Sequence, residues 1–238
     1  GYHEAYINGE PVSESMLNPA VSEFSKRSLI VTYDVTDLLK KGNNELSIWL
    51  GIGWYHKRAQ GVVDGGPYVR AQLESVKPNG DHNVITKSDE KWEAANSGRY
   101  SIGNLWVNGE YIDKSELITD LSSNAAEDLK WQQVVVGDIP QHKSSQQMCE
   151  LNTFYQTFKP VAVHKIDDES YVYDMGHAFV GFVEIDMPVV EKGKAVKIYY
   201  EDFYLNNPGD FREINTYTDV YVGDGESKGV FSNKFQYK

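Results

Sequence analysis

The sequence predicts an all-β protein made of two jelly-roll-like antiparallel β-sandwich domains in tandem. Short segments in which apolar and polar residues alternate recur along the whole chain, which is the pattern of half-buried strands. Turns rich in Gly, Asn and Asp separate these segments about every ten residues, a spacing that is typical of sandwiches. No long segment shows the period of an amphipathic helix.

The clearest hairpin signal lies at the beginning of the chain. Residues 2–7 read as a strand, and they are followed by Asn8-Gly9, the dipeptide that best fits a two-residue hairpin turn. Residues 46–50 alternate in the same way, with Leu, Ile and Leu on one face. Pro11-Val12 begins the return strand of the hairpin, and residues 46–50 are expected to form a strand of their own.

Residues 29–35 also alternate with a period of two, which predicts a strand over that range. Thr36 follows it and could cap a short helical turn over residues 37–41. Gly42 stands where such a turn would have to end.

A change of composition places a domain boundary near residue 150. Residues 137–157 have almost no apolar periodicity, and strands resume after Pro160. The predicted domains are residues 1–150 and residues 151–238, the second truncated at its C-terminal end because the sequence stops within a strand-like segment. The chain has no initiator methionine, and we expect it to be a piece of a longer polypeptide.

Composition excludes several classes of function. The formal net charge is −12, which argues against a nucleic-acid partner because such proteins need a basic surface. No apolar run approaches the ~20 residues of a membrane-spanning helix. Cys149 is the only cysteine, so the chain has no internal disulfide framework. Neutral, polar ligands such as glycans are compatible with this balance.

The sequence contains no motif from which catalytic or metal-ligating residues can be assigned. Gly51-Ile-Gly53 lacks the third glycine and the helix of a dinucleotide-binding loop. Paired cysteines for zinc and a nucleophile elbow are also absent from the sequence. A glycosidase needs only two carboxyl groups that face the scissile bond, but 35 acidic residues offer too many pairs to choose from.

The best candidate for a carbohydrate site combines aromatic and acidic residues in predicted loops and strand ends. A sugar ring presents an apolar C–H face that an aromatic ring can cover, and its hydroxyls can be held by carboxylates. The candidate residues are Trp54, Tyr55, Asp64, Trp106, Glu110, Tyr111 and Asp113. Asp64, Glu110 and Asp113 make Ca²⁺ a candidate ligand, since clustered oxygens suit this ion. Alternatively, the aromatic residues belong to the core or sheet edges and the acids are solvated.

Six motifs follow one another within residues 2–135. They are Tyr6-Ile-Asn-Gly9, Tyr33-Asp-Val-Thr-Asp-Leu-Leu39, Gly51-Ile-Gly-Trp-Tyr55, residues 67–73, Ser88-Asp-Glu-Lys-Trp92 and Gly109-Glu-Tyr-Ile-Asp113. Their order and spacing resemble the N-terminal β-sandwich module of bacterial α-L-rhamnosidases, which are glycoside hydrolases.

Three later segments resemble the β-sandwich that follows this module in the same enzymes. These segments are Tyr173-Asp-Met-Gly-His-Ala-Phe-Val-Gly-Phe182, residues 193–201 and residues 216–225. His177 stands where the family usually has Gln, and Phe182 stands where it often has Trp.

The resemblance implies a non-catalytic, carbohydrate-binding or scaffolding part of an α-L-rhamnosidase-like enzyme that acts on rhamnose-containing glycans. In such enzymes an inverting pair of catalytic acids lies in a downstream (α/α)6 barrel. The expected partners are thus a rhamnose-containing carbohydrate and that catalytic domain, and the chain alone is expected to be inactive. The substrate class implies a periplasmic or extracellular location. Two alternatives remain: purely structural modules without a sugar site, and a free-standing enzyme.

Overall fold

The computed structural model describes residues 1–56, 67–103, 108–118, 129–138, 143–200 and 217–235. These residues form strands, turns and loops, with two short 3₁₀ helices at Thr36–Leu38 and Gly53–His56. The all-β prediction is confirmed. The chain divides into two compact units, each made of two separate stretches of sequence.

Unit 1 comprises Gly1–Ser97 and Ile118–Leu151. Its strands are β1 (Tyr2–Ile7), β2 (Glu10–Pro11), β3 (Arg27–Ile30), β4 (Leu46–Gly51), β5 (Gln72–Val76), β6 (His82–Lys87), β7 (Glu93–Ala94), β10 (Gln132–Gln133) and β11 (Lys143–Gln146). An antiparallel sheet has the order β2-β1-β4, and three further pairs are β5–β6, β7–β10 and the parallel pair β3–β11.

The hairpin predicted at Asn8-Gly9 is confirmed. Both residues have positive φ, 53° and 84°, as the type I′ turn that favours this dipeptide requires. The turn sets the register of β1 against β2, in which Ile7 lies opposite Glu10. β1 also pairs with β4 over its whole length, from Tyr2 opposite Gly51 to Ile7 opposite Leu46.

The strand predicted over residues 29–35 is wrong in its second half, because β3 ends at Ile30. Asp34 turns the chain instead: its Oδ1 accepts hydrogen bonds from the backbone N–H of Thr36 at 3.0 Å and from the Thr36 hydroxyl at 2.6 Å. The predicted capping role of Thr36 is wrong as well. Val35 is the N-cap, no side chain caps the helix, and the helix ends at Leu38.

Unit 2 comprises Gly98–Leu117 and Asn152–Lys238. Its strands are β8 (Arg99–Gly103), β9 (Asn108–Asp113), β12 (Ala162–Lys165), β13 (Tyr171–Asp174), β14 (Glu184–Met187), β15 (Ala195–Tyr199), β16 (Thr218–Val222) and β17 (Gly229–Ser232). A four-stranded sheet has the order β15-β16-β9-β8, in which only the β16–β9 pair is parallel. β12 pairs with β13 and β14 pairs with β17, both antiparallel.

The core of unit 2 is a cluster of four buried side chains. Ile112 and Phe231 are fully buried, and Met187 and Tyr221 are almost so. Removing such apolar side chains from water stabilises the fold by roughly 1.5–3 kcal/mol each. This cluster therefore ties β9, β14, β16 and β17 together.

Residues 98–117 belong to unit 2 but lie in the sequence between the two stretches of unit 1. They contain β8 and β9, which are strands of the four-stranded sheet of unit 2. The domains predicted from the sequence were contiguous, with a boundary near residue 150. That division and the jelly-roll arrangement within each domain stay predictions.

Candidate functional site

The predicted carbohydrate-binding residues that the structure describes are divided between the two units. Tyr55 belongs to unit 1, in the 3₁₀ helix Gly53–His56, while Glu110, Tyr111 and Asp113 lie on β9 in unit 2. Only the backbone of Trp54 is described, within the same 3₁₀ helix as Tyr55. Asp64 and Trp106 lie outside the described residues.

Glu110 is a buried structural carboxylate. The pleat of β9 puts it on the same face as the core residue Ile112, and it is 1% exposed. Its Oε1 accepts hydrogen bonds from the backbone N–H groups of Lys234 at 2.9 Å and Phe235 at 2.7 Å. Its Oε2 accepts a hydrogen bond from Nη1 of Arg99, with which it forms an ion pair. Both carboxylate oxygens are thus used within the protein.

A second buried carboxylate, Asp219, joins the same network from β16. Its Oδ1 accepts a hydrogen bond from the backbone N–H of Glu110 at 2.6 Å. Its Oδ2 accepts from the Tyr200 hydroxyl at 2.6 Å and from Nδ2 of Asn233 at 2.5 Å. Burial, followed by the negative charge of Asp219, raises the pKa of Tyr200, so this hydroxyl stays protonated and acts as a donor.

This network joins β8, β9 and β16 to the residues that follow β15 and β17, and it holds these parts of unit 2 in register. Arg99 adds a bond to the carbonyl of Ser232 at 2.7 Å, and Asn233 accepts from the backbone N–H of Val183 at 3.1 Å. Buried polar groups that are hydrogen-bonded to one another favour one packing arrangement; within the described residues, Nε of Arg99 is the one buried side-chain atom of this network that has no hydrogen-bond partner. One feature of the sequence could have indicated that Asp219 is buried. The period of two in β16 puts Asp219 on the same face as the core residue Tyr221.

Tyr111 and Asp113 lie at or near the surface of unit 2. The Tyr111 ring packs against Tyr100, with ring centroids 6.1 Å apart. The Tyr100 hydroxyl donates to Glu116 at 2.9 Å, and this hydrogen bond is the main reason why the pKa of Tyr100 is raised. Asp113 closes the turn after β9, because its Oδ1 accepts from the backbone N–H of Ser115 at 3.0 Å and from its hydroxyl at 2.6 Å.

The predicted calcium ligands do not fit a Ca²⁺ site in the part of the chain that the structure describes. Glu110 has no free oxygen, and Asp113 lies three residues further along β9, so the two side chains leave the strand on opposite faces. The described residues contain no group of three or more His, Cys, Asp or Glu side chains that could hold a metal ion. Asp64 is not described.

Tyr55 belongs to an aromatic cluster in unit 1. Its ring contacts Phe24 and Tyr68 edge to face, with centroids 5.2 Å and 6.0 Å away. Burial and the neighbouring Tyr68 raise the pKa of Tyr55. Tyr68 is 50% exposed, and its ring lies against Gly137, where a Cβ would come within 2.8 Å of the ring. The sequence analysis did not predict Tyr68 as a site residue. Its only indication in the sequence was its place in the family motif at residues 67–73.

Comparisons with known proteins point to one enzyme family. A family model described as the alpha-L-rhamnosidase N-terminal domain matches residues 1–155, and one described as the bacterial alpha-L-rhamnosidase concanavalin-like domain matches residues 164–238. An alpha-L-rhamnosidase from Formosa agariphila is 28% identical over 100% of this chain and 26% of its own length. One from Streptomyces avermitilis is 26% identical over 100% of this chain and 23% of its own length.

Solved structures agree with these matches. The alpha-L-rhamnosidase from Dictyoglumus thermophilum aligns with a TM-score of 0.75 and 26% identity, over 100% of this chain and 27% of that one. The Streptomyces avermitilis enzyme complexed with L-rhamnose aligns with a TM-score of 0.76 over 100% of this chain and 24% of that one; at 23% identity it supports the fold alone. The chain spans about a quarter of the length of the curated relatives it matches. In the portion described, no helix is long and apolar enough to cross a membrane.

Proposed function

Because this chain belongs to the α-L-rhamnosidase family, we propose that it is a non-catalytic part of a glycosidase that acts on rhamnose-containing glycans. Its two units support a catalytic domain that lies outside these 238 residues. The main support is the position of Glu110, which is buried in the hydrogen-bond network of unit 2. Its two oxygens hold Arg99 and the backbone after β17, so it serves the fold of unit 2.

The chemistry of glycoside hydrolysis favours the same conclusion. A glycosidase needs one carboxyl group that can give a proton to the leaving oxygen and a second that faces the sugar from the other side. Glu110 and Asp219 are buried at 1% and 0% exposure and are bound to internal donors. Neither group is therefore placed to meet a sugar.

Deletion of residues 1–238 from the full α-L-rhamnosidase polypeptide tests the supporting role. We expect the deleted protein to melt at a lower temperature than the full polypeptide and to lose α-L-rhamnosidase activity, because the catalytic domain would expose a surface that these units cover. An unchanged melting temperature together with unchanged activity would contradict the proposal.

Carbohydrate binding is the second candidate function, and the aromatic cluster of unit 1 favours it. Tyr68 presents half of its surface to solvent and is held by Tyr55 and Gly137, and an exposed, fixed aromatic face suits the C–H face of a sugar. Calorimetric titration with L-rhamnose, with and without Ca²⁺, tests it. We expect binding that Tyr68→Ala abolishes and Tyr155→Ala, a change of the 97% exposed tyrosine, preserves. Absence of heat at millimolar sugar would leave support as the only role.

The partners and location follow from this proposal. The polypeptide that contains this chain would meet rhamnose-containing glycans outside the cytoplasm, in the periplasm or the extracellular space. The net charge of −12 suits contact with neutral sugars, since it offers no general attraction to polyanions. Fractionation of cells that make the full polypeptide tests this location.

A further inference from the structure

The ribbon formed by β12 and β13 presents an apolar face to solvent. Val163 lies directly opposite Tyr173, and Lys165 lies opposite Tyr171. Val161 precedes this row on the same face and bonds through its N–H to the carbonyl of Asp174. We call the set of Val161, Val163, Tyr171 and Tyr173 the ribbon face; its members are exposed by 70%, 54%, 50% and 54%.

The larger apolar side chains of this ribbon lie on its solvent-exposed face, which is the opposite of the usual arrangement. Its opposite face carries Ala162, His164, Val172 and Asp174, of which the first three are partly buried although only Val172 is a large apolar residue. In an antiparallel ribbon with one face in water, the larger apolar residues normally occupy the covered face. A row of large apolar side chains on an open face is typical of surfaces that contact another macromolecule.

A cluster of aromatic rings lies in the chain just before β12 and just after β13. Gly176 lies against Val161, since a Cβ there would come within 3.1 Å of a Val161 methyl. The next pair of residues outward is Phe158 and His177, whose rings are 4.7 Å apart, and Phe179 packs 5.5 Å from Phe158. Apolar and aromatic residues are thus concentrated in the ribbon and in the segments that flank it.

We propose that the ribbon face is the surface on which unit 2 docks against the part of the α-L-rhamnosidase polypeptide that lies outside these 238 residues. This inference rests on the function proposed above. Relatives that match the whole chain are about four times as long, so most of such a polypeptide lies outside the matched quarter. Without it, the ribbon face stays open.

Charge argues against a second copy of this chain as the occupant. Each copy would bring a net charge of −12, and like charges of this size oppose self-association. The ribbon face is also incomplete as a sugar site, because its members include no carboxylate or amide that could hold hydroxyls beside the aromatic rings, and the neighbouring Lys165 is paired with Asp168 at 2.8 Å. An apolar surface of the same polypeptide is the occupant that fits both observations.

Hydroxyl-radical footprinting of Tyr171 and Tyr173 tests the inference in the 238-residue chain and in the full polypeptide. We expect both tyrosines to react in the 238-residue chain and to lose roughly fivefold of their reactivity in the full polypeptide, because the core of an interface excludes water. Equal reactivity in the two proteins would overturn the inference. Protection that is already present in the 238-residue chain, or that grows with its concentration, would also overturn it.

A variant and an activity assay separate this inference from the proposed function. Tyr173→Lys in the full polypeptide should lower its melting temperature, whereas Tyr155→Lys, at an even more exposed tyrosine of unit 2, should leave it unchanged. Equal melting temperatures of the two variants would contradict docking. The rhamnosidase activity of the unsubstituted polypeptide is measured in parallel: its absence would refute the proposed function, while the footprint still decides the ribbon face.

Discussion

At the scale of single residues, Glu110 shows that the same side chain in a sequence can predict either a ligand-binding role or a structural role. A carboxylate beside Tyr111 can hold a sugar hydroxyl or can pair with a buried cationic side chain. The local sequence is identical in the two cases. The structure distinguishes them through the residues that β9 faces. Arg99 comes from the neighbouring strand, and Asp219 and the backbone of Lys234 come from more than 100 residues away. Only long-range pairing brings these groups together, and the alternation within β9 and β16 does not show that their side chains meet.

Glu110→Ala is predicted to destabilise the chain by about 3–5 kcal/mol, because it would leave the buried charge of Arg99 without its partner. The matched control is Glu184→Ala, at an exposed glutamate on β14 of the same unit, which should change the free energy of unfolding by less than about 0.5 kcal/mol. Urea denaturation of both variants measures the difference. Equal, small losses would show that Glu110 does not hold the fold.

The turn at Asp224 gives a prediction about pH. Hydrogen bonds from the backbone N–H of Glu226 and from Nζ of Lys114 lower the pKa of Asp224 to about 2. Since the folded pKa lies below the unfolded value of 3.8, the stabilising contribution is present above that value and is lost as the pH falls towards 2. NMR titration of the carboxyl group should give this low pKa, and Lys114→Met should raise it. An ordinary pKa in the parent chain would contradict the account.

At the scale of elements, the sequence predicted local structure well where the turn chemistry is strict. The Asn8-Gly9 hairpin and the strand over residues 46–50 were both predicted, because an alternating pattern and a two-residue turn together fix a register. The strand predicted over residues 29–35 was too long. The hydrogen bonds that Asp34 accepts from Thr36 favour a turn there, although the neighbouring residues alternate like those of a strand. The insertion of residues 98–117 into the sheet of unit 2 could not be predicted, since alternation says nothing about which strand lies beside another.

Gly98 begins this inserted segment, and its substitution is predicted to be costly. It has φ of +71°, and a Cβ would lie 2.4 Å from the backbone of Glu116. Gly193 also has positive φ, +75°, but nothing lies within 4 Å of its Cβ position. Gly193→Ala should therefore cost only the left-handed strain of about 1–2 kcal/mol. Gly98→Ala should cost about 1–3 kcal/mol more.

Denaturant unfolding of the two glycine variants, monitored by tryptophan fluorescence, checks this prediction. Both variants change the same residue type at the same sign of φ in the same unit, so the difference between them reports the clash alone. If Gly98→Ala and Gly193→Ala lose the same stability, the close approach of β8 to the turn after β9 is not maintained in solution.

At the scale of the whole molecule, family membership came from the order of short motifs, while the role of each motif needed the structure. Of the predicted sugar-binding residues, Glu110 is committed to the fold and Asp113 to a turn. Tyr55 remains a candidate through its contact with Tyr68. The chain spans about a quarter of the length of its relatives, and this coverage and the ribbon face both favour the proposal that it supports a larger enzyme.

The most direct test of this account is an assay of the purified 238-residue chain against an aryl α-L-rhamnoside, beside the full polypeptide under the same conditions. The account predicts hydrolysis by the full polypeptide and none by the 238-residue chain at any concentration. Release of rhamnose in proportion to the concentration of the 238-residue chain would contradict it, because catalytic carboxyl groups would then have to lie within these two units.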